Sequence, residues 1–281
     1  MQDIKKLFVF QGLIFSVVFL ITILSFLKVE SILNSSLSIS LKEYSIWEII
    51  IGVIIASLIL LLFIKFVHKE KLKKAFLYFI FGFISLWGSV FILSLWINFL
   101  SAMIISLAIV IFVFSYRNVL FNNIAMMLAV PAAVINLSIA VNFETTVLFL
   151  LILTIYDYIA VYETRHMVDM AKGMVQQGVV FGFVFPRKTE YLESKVSQII
   201  GQEEKNKAFI MGSGDVAIPL LFITNLLKYS HSAAIFVSFF AFLGLFLSFL
   251  IFYFQKDKQP MPALPPIVLM CFLGALIYSF V

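Results

Sequence analysis

The chain has 281 residues, 63% of them hydrophobic and only 12% charged, with a mean hydropathy of +1.10 and 33 phenylalanines. An average soluble domain carries roughly 25% charged residues, and no polar stretch here approaches the roughly 50 residues that an independent soluble domain needs. The composition is that of a polytopic membrane protein; its net charge of +5 is scattered over connections rather than gathered into a basic module, which speaks against a nucleic-acid partner.

The opening Met1-Gln-Asp-Ile-Lys-Lys6 has the positive flank of a signal peptide. The apolar run from Leu7 to Leu27 is longer than a signal core and has no small-residue cleavage pattern, so it reads as a first span. Runs long enough for the roughly 20 residues of a spanning helix follow at 46–67, 75–94, 97–116, 118–142, 145–162, 208–227, 233–254 and 263–281. The third and fourth are nearly continuous. One helix from Ala75 to Arg117 would be too long, so a break is expected at Leu95–Ile97. The expected fold is an all-α polytopic membrane protein of nine transmembrane helices. Residues 1–281 form a single membrane-embedded domain: a six-span part over about 1–162, a loop over about 163–207 and a three-span part over about 208–281.

Seventeen of the 20 Lys and Arg fall in alternate connections, leaving only Lys28, Lys42 and Lys228 on the other side. The positive-inside rule then puts the N-terminus in the cytoplasm and, for an odd number of spans, the C-terminus outside. His68, His166 and His231 lie far apart in polar connections without the spacing of a zinc site, so neither a metal nor another cofactor is expected. Cys271, the single cysteine, excludes an internal disulfide and reads as a small buried apolar residue.

Within the long loop, Gly178-Val-Val-Phe-Gly-Phe-Val-Phe185 is apolar, too short to span, and closed by Pro186. It reads as a strand over Val179, Val180, Phe181, Gly182, Phe183, Val184 and Phe185. Such a segment either dips its aromatics into lipid or offers an exposed edge that captures an unwound substrate by strand addition.

Two aspartates stand inside spans: Asp157 in the sixth and Asp215 in the seventh. A carboxylate in hydrocarbon is costly and is a functional-site hypothesis by default. Asp157 precedes Arg165 by eight residues and Asp215 follows Lys207 by eight, so along regular helices both lie roughly 12 Å from those cations. Consecutive antiparallel helices usually neighbour each other, which lets the carboxylates face one another. Two like charges that close cannot both ionise cheaply, so the pair holds one proton. One carboxylate can then deprotonate water while the other protonates a carbonyl. Gly212, Ser213 and Gly214 remove bulk beside Asp215, and Pro219 deprives the Asp215 carbonyl of its helical donor. Taken alone, that glycine pattern fits a helix-packing patch equally well. Tyr156, one residue from Asp157, points about 100° away on a helix and either touches substrate or packs against a neighbouring span. Pro262, Pro265 and Pro266 interrupt regular helix before the ninth span and expose backbone groups there.

Tyr156-Asp157, Gly212-Ser213-Gly214-Asp215 and Pro262-Ala263-Leu264, in this order and on these spans, resemble the motifs of the presenilin and signal peptide peptidase family of intramembrane aspartyl proteases. The longer strings Tyr156-Asp-Tyr-Ile-Ala-Val161 and Pro262-Ala-Leu-Pro265 are more similar to the presenilin branch, and the chain resembles a compact archaeal homologue. The resemblance implies a multi-pass protease of the cell membrane that cuts membrane-protein or signal-peptide substrates between Asp157 and Asp215. It also implies a site lined by the Pro-Ala-Leu segment, a substrate that forms a strand beside it, and no need of accessory subunits. Ser213 departs from the leucine of the familiar animal enzymes, which bears on substrate preference rather than on the catalytic pair. Two other classes account for part of the pattern. An ion carrier would use both carboxylates but leaves the joint motifs unexplained, and a prepilin-type peptidase expects a basic residue where Val216-Ala217-Ile218 follow Asp215.

Overall fold

The computed structural model describes residues 2–35, 48, 51–52, 55, 70–163, 174, 178, 180–186, 189–199, 208–255 and 261–280. Its helices are α1 (Gln2–Ser35), α2 (Glu70–Ser94), α3 (Phe99–Tyr116), α4 (Val119–Ala140), α5 (Phe143–Tyr158), the single turn α6 (Val196–Ile199), α7 (Ser213–Leu227), α8 (His231–Phe254) and α9 (Leu264–Tyr278). Strands β1 (Gly182–Pro186) and β2 (Ala208–Gly212) form one antiparallel pair. Eight of the nine expected spans carry a helix; the second, 46–67, falls almost wholly outside the described residues, as do His68, His166 and Val179. Among the described residues, six helices are long and apolar enough to cross a membrane, whereas α7 and α9 have 15 residues each.

Side chains set the helix limits. The break between the third and fourth spans lies where expected: Asn98 accepts from the Ser101 N–H at 2.9 Å and starts α3. Arg117 ends that helix in the left-handed conformation, its N–H bonded to the Val113 carbonyl. Asn118 accepts from Phe121 N–H at 3.1 Å at the start of α4, and Asn142 from Thr145 N–H at 2.8 Å at the start of α5. Beyond Tyr158 the α5 ladder widens into a π-helical turn, Ile159–Glu163.

The chain divides into two compact units. The first contains α1 to α3, the start of α4, and the loop segment through β2. Along α1, Gln11, Ile14, Phe15, Val18, Thr22, Ser25 and Phe26 are buried, the stripe of a helix packed on one face. α2 and α3 form an antiparallel hairpin, and a Cβ on Gly88 would come 2.6 Å from Ala129 Cα, so only glycine allows α2 and α4 to approach this closely. Beneath the sheet, Val119, Val180, Val184, Val196 and Ile199 make a small core of their own. The second unit holds the rest of α4, then α5, α7, α8 and α9. α8 and α9 pack along their length, with Gly244 against the Ile267 backbone at 2.7 Å for a hypothetical Cβ. Lys228, just past α7, donates to the carbonyls of Ser138 and Val141 and neutralises the negative end of α4.

Two expectations are corrected. Residues 208–212, expected to open the seventh helix, are strand β2, so the eight-residue helical climb from Lys207 to Asp215 does not exist; pairing with β1 satisfies backbone that would otherwise start a helix. The loop strand itself covers Gly182–Pro186 rather than 179–185, and Val180 and Phe181 precede it. Nor is it an open edge, because β2 covers one side and α4 the other.

Candidate active site

Asp157 sits near the end of α5, only 7% exposed, where its carboxylate accepts the Leu264 N–H at 3.3 Å. This bond joins residues 107 positions apart and ties the first motif to the third. The Pro-Ala-Leu segment makes it possible: Ala263 is the N-cap of α9 and has no side-chain cap, so the first N–H groups of that helix lack intrahelical partners. Pro265 and Pro266 follow within the first turn, where proline removes no needed donor. Pro262 and Leu264 are buried. Tyr156 faces away, 46% exposed beside the buried aspartate.

Asp215 is the third residue of α7, half-buried, with Gly214 exposed before it and Val216 buried after it. A carboxylate in the first turn of a helix meets the positive end of the backbone dipole. At the opposite end of the pair, the Phe143 ring packs 5.6 Å from Phe222 and 5.9 Å from Tyr229. This contact makes α5 and α7 neighbours within the second unit.

Gly212 closes β2 and Ser213 opens α7, so the glycine motif is a strand-to-helix junction. The pairing register is Gly182 with Gly212 through Pro186 with Ala208. The Ser213 N–H bonds the Phe181 carbonyl at 3.3 Å, so residues 183 and 185 exchange bonds with 211 and 209, and the intervening residues point their polar groups outward. On β1 those outward groups are taken: Asn122 donates to the Gly182 carbonyl, while Asn123 donates to the Val184 carbonyl at 2.8 Å and accepts its N–H at 2.9 Å. Pro186 has no N–H to offer. On β2 the N–H and C=O of Ala208 and Ile210 and the N–H of Gly212 have no such cover among the described residues. The open edge is therefore on β2, three residues before Asp215. Sequence reading passed over Asn122 and Asn123, although two adjacent amides inside an apolar span were a visible signal.

No group of residues suited to hold a metal ion occurs among the described residues. The sequence matches the family described as signal-peptide peptidase, presenilin aspartyl protease over residues 11–281. No curated protein matches it. Two solved structures of a presenilin family intramembrane aspartate protease share the fold. The one in space group P2 has a TM-score of 0.62 and 19% identity, covering 95% of each chain. The one in C222 has a TM-score of 0.59 and 17% identity, covering 94% of each. With the family match spanning nearly the whole chain, this protein belongs to the signal-peptide peptidase and presenilin aspartyl proteases and is a multi-pass, intramembrane aspartic protease.

Proposed function

We propose that Asp157 and Asp215 are the catalytic pair and that they hydrolyse peptide bonds within transmembrane segments or signal-peptide remnants. The observation that carries the reading is the bond from Leu264 N–H to the buried Asp157 carboxylate, which joins two of the three motifs and steers one carboxylate oxygen. A water held between the carboxylates loses a proton to one aspartate as it attacks the scissile carbonyl, whose oxygen is protonated by the other. The tetrahedral gem-diol collapses as the aspartate that took the water proton gives it to the leaving nitrogen and the other aspartate regains a hydroxyl proton, and no covalent enzyme intermediate forms. Tyr156, Ser213, Pro262 and Ala263 line the substrate path. Nine spans place the N-terminus in the cytoplasm and the C-terminus outside, and the protein works without accessory subunits.

The substrate strand adds to the outward edge of β2, through Ala208, Ile210 and Gly212, and not to β1. Strand addition there would present an extended segment next to the residues leading into Asp215.

Purified protein alone, in liposomes with a single-span peptide, tests this. Cleavage is expected, with Asp157→Asn and Asp215→Asn each lowering it by roughly 10²–10⁴-fold, the usual worth of general acid–base catalysis. Appreciable turnover by either folded variant refutes the pair, and ion flux without cleavage would favour an ion carrier.

A further inference from the structure

Lys74, in the first turns of α2, and Arg117, at the end of α3, meet at one end of the α2–α3 hairpin. Lys74 Nζ lies 5.7 Å from the Tyr78 ring centroid and the Arg117 guanidinium carbon 5.3 Å from it. One ring thus gathers two cations, and among the described residues neither has a carboxylate partner. Among the described residues, the side-chain hydrogen bond of Arg117 runs from Nε to the Phe114 carbonyl at 3.1 Å and none engages the terminal amino groups.

The backbone holds that guanidinium in place. Arg117 is the only non-glycine residue at positive φ among those described, at 52°, a conformation unfavourable for a side chain with a Cβ. It is locked by its N–H to Val113 and by its carbonyl, which accepts from Val196 N–H at 3.1 Å. Below the cation is a recess lined by Tyr78, Phe81, Phe114, Asn118 and Asn122. Near the same helix end, the rings of Phe112, Tyr116 and Phe121 cluster with centroids 5.3–5.9 Å apart, and Phe112 and Tyr116 are 43% and 56% exposed. Exposed aromatic rings at the end of an apolar helix mark the membrane–water boundary.

We infer that Lys74 and Arg117 bind the phosphate of an anionic phospholipid headgroup, whose acyl chain lies along the Phe112–Tyr116–Phe121 face. Two cations held near one ring without a carboxylate partner among the described residues give a local positive charge, and a planar guanidinium presents paired donors to a phosphate. The adjoining exposed apolar face selects a lipid over a soluble anion.

Native mass spectrometry of delipidated protein, incubated with phosphatidylglycerol or phosphatidylcholine, provides a readout independent of proteolysis. Phosphatidylglycerol should be retained at least about fivefold better, and Lys74→Gln with Arg117→Gln should bring it down to the phosphatidylcholine level. Lys74→Gln alone changes one exposed side chain and should reduce retention even if the Arg117 variant misfolds. Undiminished retention in folded Lys74→Gln overturns the proposal. So does complete displacement of phosphatidylglycerol by millimolar inorganic phosphate, which would mark a site for a soluble anion.

Discussion

Asn123→Leu tests whether α4 closes the outer edge of β1. Asn123 is 2% exposed and Val184 fully buried, and the Asn123 amide makes both bonds to the Val184 backbone, at 2.8 and 2.9 Å. Leucine has about the same volume and neither donor nor acceptor, so the substitution leaves two buried backbone groups unsatisfied. Each costs about 1–3 kcal/mol; with the apolar gain of leucine offsetting part of this, a loss of about 2–4 kcal/mol is expected. A denaturant titration in mixed micelles measures the stability, and hydrogen exchange locates the change. The Val184 amide should exchange at least about tenfold faster while Met211, bonded across the sheet, keeps its protection. Cleavage should continue, since α4 still covers that edge sterically. Stability within about 0.5 kcal/mol of the parent, together with unchanged protection at Val184, would refute the argument.

Three further outcomes follow from the site. Leu264→Pro removes the N–H that Asp157 accepts, and a hydrogen bond to a charged group is worth about 1.5–3 kcal/mol. A roughly 10–100-fold fall in kcat/KM is expected, whereas Leu264→Met keeps the donor and should stay within a few-fold; equal behaviour of the two variants would show that the bond is dispensable. The pH–rate profile should be a bell, because turnover needs one protonated and one ionised member of the pair: activity falls at low pH as the second carboxylate gains a proton and at high pH as the shared proton is lost. Activity that stays level well below the carboxylate range would contradict this. Ser213→Leu should redistribute cleavage among neighbouring bonds by about tenfold, since a pocket discriminates by roughly 1–3 kcal/mol per methylene; an unchanged product map at unchanged rate would place Ser213 away from substrate.

Among the described residues, eight of the expected runs were legible as helices because length and hydropathy decide them, and even the close break before α3 was marked by the start of a new helix at Asn98. The link between Asp157 and Leu264 could not be computed from spacing, since 107 residues intervene; only the joint motifs pointed to it. β2 escaped for a physical reason. Ala208-Phe-Ile-Met-Gly212 is apolar without alternation, and a short apolar run does not distinguish strand from buried helix. Its strand character comes from its partner β1, where Gly182 pairs with Gly212 and a Cβ on Gly182 would strike the Met211 carbonyl at 2.3 Å. Lys228, one of three lysines outside the basic connections, has a structural use, capping α4, which charge counting treats only as an exception.

The placement of the open edge addresses the central energetic difficulty of cutting a helix inside a membrane. A peptide bond in a helix has its carbonyl engaged and its carbon shielded, so the segment must be extended before water can attack. Extension in hydrocarbon frees N–H and C=O groups, each costing several kcal/mol without a partner, and a three- or four-residue opening would therefore be prohibitive unaided. The outward side of β2 offers three N–H groups and two carbonyls, at Ala208, Ile210 and Gly212, while the corresponding side of β1 is filled by Asn122 and Asn123. Under the proposed mechanism an unwound substrate regains on that edge about as many hydrogen bonds as it loses. β2 runs into α7 without a connecting loop, so the edge lies three residues before Asp215 in the chain. Under the proposed mechanism, a shift of the substrate by two residues preserves every bond to that edge while a shift by one breaks them, so cleavage should favour sites spaced in twos.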